Sequence, residues 1–305
     1  MTNPHSSSCS FSLLMSLAVP VMAALVCATA GAQLAATETI AQNPGLTVTY
    51  ISHCGFLFIS GNQKILTDAL IEPSKEWPND TPSPDLLKKM ERGEPPFDHI
   101  NVLLIGLNHI DHHSSASSVR FLLNNPKSVL VTTLEVRTQM EKDSTEFKKV
   151  QSQVVVALLD GKQSTTLEVN GIKLEMARLK HGDDGQWAPI VYADIFEIGG
   201  KKVLYAPETP GYFPEKYKSL DYAKRGIDLA FLYSSLAIWP GPRGSGVVLN
   251  STGIQTIRDL IAPKVTVLMP VETFTKALLE NLLSEIDKQL PGTIWFQHEL
   301  ESRTF

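Results

Sequence analysis

Apolar residues recur along this chain with two periods, and the order of those periods predicts a mixed α/β fold. A period of two, or a short unbroken apolar run, indicates a strand, whereas spacing of three to four residues indicates a helix. Strands are predicted at residues 46–50, 55–59, 64–66, 100–105, 128–132, 166–169, 172–175, 191–198, 201–205, 227–233, 265–269 and 293–296. Helices are predicted at residues 116–123, 134–152, 254–261 and 276–290, and a surface loop with a short helix at 73–97.

Three turn signals join neighbouring strands into hairpins, namely Gly61-Asn62, Asn170-Gly171 and Gly199-Gly200. Hairpins are followed by strands that alternate with helices, and this order occurs twice along the chain. The repeated order predicts an αββα sandwich, in which two mixed β-sheets pack face to face and helices cover both outer faces.

Composition limits the classes of partner. The chain has 305 residues, 43% of them hydrophobic, which is enough for one large core or two small ones. The formal net charge is −5, and the lysine and arginine residues are scattered. Without a basic stripe or an aromatic-basic repeat, the sequence argues against nucleic acid as a partner.

The first residues have the pattern of a targeting segment. An apolar stretch over residues 11–30 ends in Ala30-Gly31-Ala32, which predicts a signal peptide over residues 1–32 and a periplasmic or secreted protein. Its n-region lacks lysine and arginine, so an uncleaved anchor and a misassigned start are the alternatives; Ser16 and Pro20 argue against a stable membrane span.

The remaining chain divides into a polar linker, residues 33–45, and one domain, residues 46–305. Cys9 and Cys27 fall inside the leader, so Cys54 is the only cysteine of the mature protein. We therefore expect no internal disulfide and no cysteine metal cluster.

A short polar run is the strongest chemical signal. Leu107-Asn108-His109-Ile110-Asp111-His112 follows the buried strand 100–105 and precedes serines suited to cap a helix. His109, Asp111 and His112 would therefore lie together on a tight turn at the carboxyl end of that strand. Nitrogen and oxygen donors packed so closely suit a divalent metal, and a plain solvated turn is the alternative.

Several landmarks together resemble the metallo-β-lactamase fold superfamily, and are closest to its branch related to the ascorbate-phosphate lactonase. Residues 48–56 and 65–68 resemble the opening hairpin of the family, which ends in an Asp near the metal site. The run at 107–112 resembles the signature His-x-His-x-Asp-His. Three later ligand positions of the family are matched by His181, Glu208 and Glu272.

The resemblance implies an altered ligand set. Leu107 stands where the first signature histidine belongs, which leaves only His109 and His181 at one metal position, so that position should be weak or empty. The other position would have Asp111, His112 and Glu272, with Glu208 in reach. This set has one nitrogen donor and three carboxylates, so we expect one divalent metal per chain, Mn, Fe or Zn.

The carboxylates themselves favour a metal. Without a cation, Asp111, Glu208 and Glu272 would crowd three like charges into one pocket. The alternative is a degenerate pocket whose carboxylates are solvated or paired with Lys180 or Arg243. By the resemblance, Asp111 also orients the attacking water.

Three further residues border the predicted site. Asp68 is expected to orient a motif histidine through its second ring nitrogen, or else to cap a turn. His53 is expected to be a hydrogen-bonded structural histidine, or to replace in part the ligand lost at Leu107. His113 is expected to face solvent, with a place behind the metal ligands as the alternative.

Two functions follow. The first is an exported metal-dependent hydrolase acting on a small ester, lactone or phosphoester. The second is a binding protein that kept the fold and lost turnover, and Leu107 is the residue that favours it.

Overall fold

Two seven-stranded sheets face each other in the computed structural model, which describes residues 45–75, 80–180, 190–208, 214–240, 247–270 and 276–305. The predicted signal peptide and residues 33–44 lie outside this description, so export stays a prediction. Among the described helices, none has the length and apolar character needed to cross a bilayer.

The described elements follow each other in the predicted mixed order. The strands are β1 (Thr47–Ser52), β2 (Gly55–Ser60), β3 (Gln63–Thr67), β4 (Val102–Ile105), β5 (Val129–Thr132), β6 (Val154–Val156), β7 (Ser164–Val169), β8 (Ile172–Lys180), β9 (Ile190–Ile198), β10 (Lys201–Ala206), β11 (Leu229–Tyr233), β12 (Ile238–Pro240), β13 (Val247–Leu249), β14 (Val265–Met269), β15 (Thr293–Ile294) and β16 (Ser302–Thr304). The helices are α1 (Pro84–Arg92), α2 (Ser115–Asn124), α3 (Leu134–Asp143), α4 (Phe147–Val150), α5 (Pro214–Leu220), α6 (Ser251–Thr256) and α7 (Lys276–Asp287).

Both sheets repeat one design. The first has the order β16-β1-β2-β3-β4-β5-β6 and the second the order β15-β14-β11-β10-β9-β8-β7, while β12 and β13 pair separately. In each, an antiparallel hairpin part joins a parallel part, at β3 in the first sheet and at β10 in the second. Since the parallel parts need crossover connections, helices are brought to the outer faces.

Aromatic residues fill the space between the sheets. Phe56 and Phe58 of β2 meet Phe196 of β9 and Phe231 of β11, with ring centroids 4.9 to 5.1 Å apart. Separate apolar clusters bind helices α1 to α4 to the first sheet and α5 to α7 to the second. The predicted αββα sandwich is confirmed.

Two sequence predictions differ from the structure. The helix expected at 134–152 is broken, because Ser144 ends α3 and a valine run at 154–156 joins the first sheet beside β5. Strand β16 was not expected, since only three residues pair with β1. There the Ser302 hydroxyl lies 2.8 Å from the Thr49 hydroxyl.

The sheet design also determines where polar residues collect. The carboxyl ends of β3 and β4 lie at one edge of the first sheet, next to the β1–β2 turn. The carboxyl ends of β10 and β11 likewise share one edge of the second sheet. Side chains that follow these strands can therefore meet at one end of the sandwich.

Candidate metal centre

The turn between β1 and β2 brings two donor residues to the end of the sheet. Ser52 pairs with Gly55, which leaves His53 and Cys54 as a two-residue turn. His53 has φ +47°, and both side chains are buried. A Cβ on Gly55 would lie 2.9 Å from the Cα of Ala69, so only glycine allows this close approach.

Asp68, just after β3, anchors a buried hydrogen-bond network. Its Oδ2 accepts from His112 Nδ1 at 2.9 Å and from the Tyr205 hydroxyl at 2.8 Å. That hydroxyl also lies 2.7 Å from the carbonyl oxygen of Cys54, so two acceptors share its single proton. Asp68, His112 and Tyr205 are each 0% exposed, which makes their orientations strongly determined.

The motif turn after β4 is held by backbone hydrogen bonds. The amides of His112 and His113 both donate to the carbonyl of His109, at 3.1 and 3.2 Å. Ser114 then caps helix α2, its hydroxyl accepting from the Ser117 amide. The Tyr192 amide of the second sheet donates to the Gly106 carbonyl at 3.1 Å, so the turn is fastened to both sheets.

Four predicted ligands converge at this end of the sandwich. Oε2 of Glu208 lies 3.1 Å from His109 Nδ1 and 3.4 Å from His112 Nε2. Oδ1 of Asp111 lies 4.0 Å from His109 Nδ1. His109 and Glu208, which are 99 positions apart in the sequence, are thus close enough to bind the same ion. His181 and Glu272 lie outside the described residues, as does Arg243, so their roles stay predictions.

His53 takes part in the same cluster. Its Nε2 lies 3.3 Å from Oδ2 of Asp111, and its ring lies nearly perpendicular to that of His112 with centroids 5.4 Å apart. The Cys54 sulphur lies within 4.8 Å of donor atoms of both histidines and donates to the Pro207 carbonyl at 3.6 Å. Leu107 is completely buried.

The prediction that His113 faces solvent is wrong. The ring is 6% exposed and its Nε2 lies 3.1 Å from Oδ1 of Asn108. Burial lowers the pKa of His113 to about 4, so the ring is neutral. The cause of the error is that the turn leads directly into α2, which packs against the first sheet, so His113 is covered where a free turn would expose it.

The pKa shifts in the cluster favour a protonated His112 beside an ionised Asp111. Burial alone would lower the pKa of His112, but the hydrogen bond to Asp68 and the nearby carboxylate of Glu208, 3.4 Å from Nε2, raise it to about 10. Burial opposes ionisation of Asp111 as well, yet its hydrogen bond with His53 and the charge of His112 lower its pKa. The pKa of the Cys54 thiol is raised by burial and by the nearby carboxylates of Asp68, Glu208 and Asp111.

The donor set fits a divalent cation. His112 uses Nδ1 for Asp68, and its buried Nε2 has no hydrogen-bond partner among the described residues. A carboxylate–histidine pair of this kind sets the tautomer in which Nε2 offers a lone pair to a metal. Among the residues whose side chains the structure describes, which exclude Lys180 and Arg243, no lysine or arginine contacts Asp68 or Asp111.

Sequence analysis missed two tyrosines of the site. Tyr205 belongs to the inward-facing set of β10, a face that the period of two indicates, but its contacts with Asp68 and Cys54 depend on the packing of the two sheets. Tyr233 ends β11 and is partly buried. Burial and the negative charges of Glu208 and Asp111 raise the pKa of Tyr233, so it remains a protonated donor.

A cleft of about 620 Å³ adjoins the cluster on the side of His109. Two carboxylates, Glu72 and Asp143, line it, and its described wall contains no lysine or arginine. Asp143 accepts from the hydroxyl of Ser115 at 3.0 Å. The cleft therefore presents acceptors and negative charge next to the candidate ligands.

Comparison with known proteins agrees with this geometry. Residues 64–268 match the family described as beta-lactamase superfamily domain, so the chain belongs to this family. The metallo-β-lactamase fold and its divalent metal follow from that membership, while the lactonase-related branch stays a prediction. Among curated proteins no match was found.

Three solved structures share the fold. Igni18, a metallo hydrolase from the archaeon Ignicoccus hospitalis, is 16% identical over 85% of this chain and 98% of its own, with a TM-score of 0.53. An isothiocyanate hydrolase from Delia radicum gut bacteria is 16% identical over 85% and 99%, with a TM-score of 0.55. CmlA, a diiron beta-hydroxylase from Streptomyces venezuelae, is 14% identical over 86% and 54%, with a TM-score of 0.55.

Proposed function

We propose that this protein is a metal-dependent hydrolase that cleaves a small, uncharged ester or lactone. The convergence of His109, Asp111, His112 and Glu208 carries the proposal, because such a donor set has little use without a cation. The structures named above include two hydrolases, which supports the reaction class.

The side chains divide the work of hydrolysis. A divalent cation held here would supply Lewis-acid polarisation and a more acidic water. Asp111 is ionised and 18% exposed, so it can accept the proton that the attacking water releases. Asp68 fixes the ring of His112 through Nδ1 and so keeps Nε2 directed at the cation.

Tyr233 is suited to stabilise the oxyanion that forms on the substrate carbonyl. Its phenol stays protonated near Glu208 and Asp111, and it lies at the end of a strand whose neighbours carry the ligands. Loss of one such donor lowers kcat by about 100- to 1,000-fold. Tyr233→Phe should therefore lower kcat while leaving the metal content unchanged.

The cleft beside His109 supports an uncharged substrate. Asp143 would repel a phosphoester anion, while Glu72 is already paired with Arg120, and an ester or lactone carries no charge to repel. The anionic ligand set also offsets much of the cation's charge, so water is activated less than in a histidine-rich site. Reactive acyl substrates suit that weaker activation.

The test is hydrolysis of a lactone, a thioester and a phosphodiester by metal-loaded protein. We expect lactone or thioester turnover that is lost on chelation and falls at least 100-fold in Asp111→Asn. Asp160→Asn, the same change in an exposed turn, is the control and should keep full activity. The proposal would be contradicted if the phosphodiester were the preferred substrate, or if a chelator left the turnover unchanged.

Leu107 favours a second candidate, a binding protein without turnover. Its buried alkyl side chain offers no lone pair at the first motif position. Leu107→His should raise the metal content toward two per chain if the position is otherwise intact. Full metal occupancy with no hydrolysis of any acyl substrate would favour the binding protein.

A further inference from the structure

We propose that the β1–β2 turn itself supplies two metal ligands, the imidazole of His53 and the thiolate of Cys54. With His112 they form a nitrogen–sulphur site suited to Zn²⁺ or Co²⁺. The inference rests on the proposed metal dependence and adds to it the identity of the ligands and of the metal.

Geometry brings the three donors to one point. One donor atom from each of His53, Cys54 and His112 lies within 4.8 Å of the others. Ligand atoms around a tetrahedral zinc ion are about 3 to 4 Å apart, so a contraction of about 1 Å completes the site. The rings of His53 and His112 are nearly perpendicular, at 82°, with centroids 5.4 Å apart.

The polar atoms of the cluster leave room for a ligand. Nε2 of His112 is buried and makes no hydrogen bond to any described residue. The Cys54 thiol has a weak contact, 3.6 Å to the Pro207 carbonyl, which metal binding can replace at small cost. Oε2 of Glu208, 3.4 Å from His112 Nε2, can supply a fourth donor.

The same burial argues against other roles for Cys54. Cys54 is completely buried, and buried cysteines are poor nucleophiles. A cation can use the same sulphur, because coordination deprotonates the thiol that binds it. Metal binding would thus place a positive ion where the negative charges already lie.

Backbone conformation points the same way. His53 adopts φ +47°, a conformation that residues other than glycine rarely adopt. In this conformation Nε2 of His53 lies 3.3 Å from Oδ2 of Asp111. The turn thus brings a nitrogen donor and a sulphur donor to a cluster whose motif has the buried, non-ligating Leu107 at its first position.

This donor set changes the expected metal. Carboxylates alone favour Mn²⁺ or Fe²⁺, whereas a thiolate with two imidazoles selects zinc and cobalt. We therefore expect Zn²⁺ to displace Mn²⁺ from the protein with a preference of at least 100-fold. Cys54→Ser should lower that preference by at least 10-fold.

The experiment is absorption spectroscopy of the full chain loaded with Co²⁺. A near-ultraviolet thiolate-to-cobalt charge-transfer band is expected in the unmodified protein and should vanish in Cys54→Ser. The double variant Cys9→Ser/Cys27→Ser is the matched control and should keep the band. His53→Gln should weaken cobalt binding at least 10-fold, whereas His99→Gln, on an 83% exposed side chain, should not.

The outcomes separate this inference from the proposed function. Cobalt binding that depends on Asp111 but shows no thiolate band overturns the role of Cys54 and leaves the hydrolase proposal standing. Failure of the unmodified protein to bind any divalent metal overturns both. Should Cys54→Ser fold poorly, an absent band or a preference for Mn²⁺ in the unmodified protein still decides against Cys54.

Discussion

Two clusters of carboxylates flank the start of helix α2, and they are neutralised in different ways. In the first, Arg120 lies between Glu72 and Glu91, with N–O distances of 2.9 and 2.6 Å. The hydroxyls of Ser114 and Ser117 complete it by donating to the same two carboxylates. In the second cluster, Asp68, Asp111 and Glu208 are contacted by histidines instead.

The difference shows where the chain provides its own cation and where it leaves one to be bound. An arginine is charged at every physiological pH, so the first cluster is complete without a ligand. A histidine can surrender its proton, and the raised pKa of His112, about 10, shows that a proton serves as the cation when no metal is bound. Metal and proton therefore compete for Nε2.

A third buried carboxyl group, that of Asp194, has neither an arginine nor a histidine partner among the described residues. Asp194, on the inner face of β9, is 0% exposed and neither oxygen has a hydrogen-bond partner among the described residues. Burial, and then the charge of Asp68, raise its pKa well above the ordinary value. The neutral form of Asp194 is accordingly favoured, which is the remaining way to bury a carboxyl group.

Removing Asp68 should have the largest effect. Asp68→Ala leaves the buried Nδ1 of His112 without its partner and leaves the Tyr205 hydroxyl with only the Cys54 carbonyl, so we expect a loss of about 3–5 kcal/mol in the free energy of unfolding. Metal affinity should fall about 10- to 100-fold because Nε2 of His112 is no longer oriented. Denaturant unfolding and calorimetric metal titration measure the two effects. A loss of stability with unaltered metal affinity would show that Asp68 serves packing alone.

Replacing Asp194 by Asn should instead increase the free energy of unfolding at pH 7. A carboxyl whose pKa is raised by folding contributes its full stability below the unfolded pKa, near 4, and loses it as the pH rises. Asp194→Asn cannot ionise in either state, so at pH 7 it should be more stable than the parent by about 1–3 kcal/mol. The gap should close as the pH falls toward 4. Unfolding curves at several pH values measure it, and a gap that is independent of pH would contradict a neutral Asp194.

Removing Arg120 should have the smallest effect on stability and should leave the metal affinity unchanged. Arg120→Met leaves Glu72 and Glu91 without their cation, but the arginine is 43% exposed, so solvent screens the loss. We expect about 1 kcal/mol of destabilisation and an unchanged metal affinity. A fall in metal affinity as large as that of Asp68→Ala would mean that the two clusters are coupled rather than separate.

Sequence analysis predicted the sheets and the motif turn because each depends on neighbouring residues. The run at 107–112 follows from local spacing, and the expectation that Asp68 orients a motif histidine follows from the family resemblance; the structure identifies that histidine as His112. The inclusion of Cys54, Tyr205 and Tyr233 depends on how distant strand ends meet, which no local period encodes. Burial of His113 was missed for the same reason, since the position of α2 against the first sheet decides it.

The most direct test of a cation bound among histidines and carboxylates is anomalous diffraction from crystals soaked in zinc. We predict one strong anomalous-difference peak within bonding distance of His112 Nε2 and of a carboxylate oxygen of Asp111 or Glu208. An empty cluster, with zinc found only on surface side chains, would contradict it.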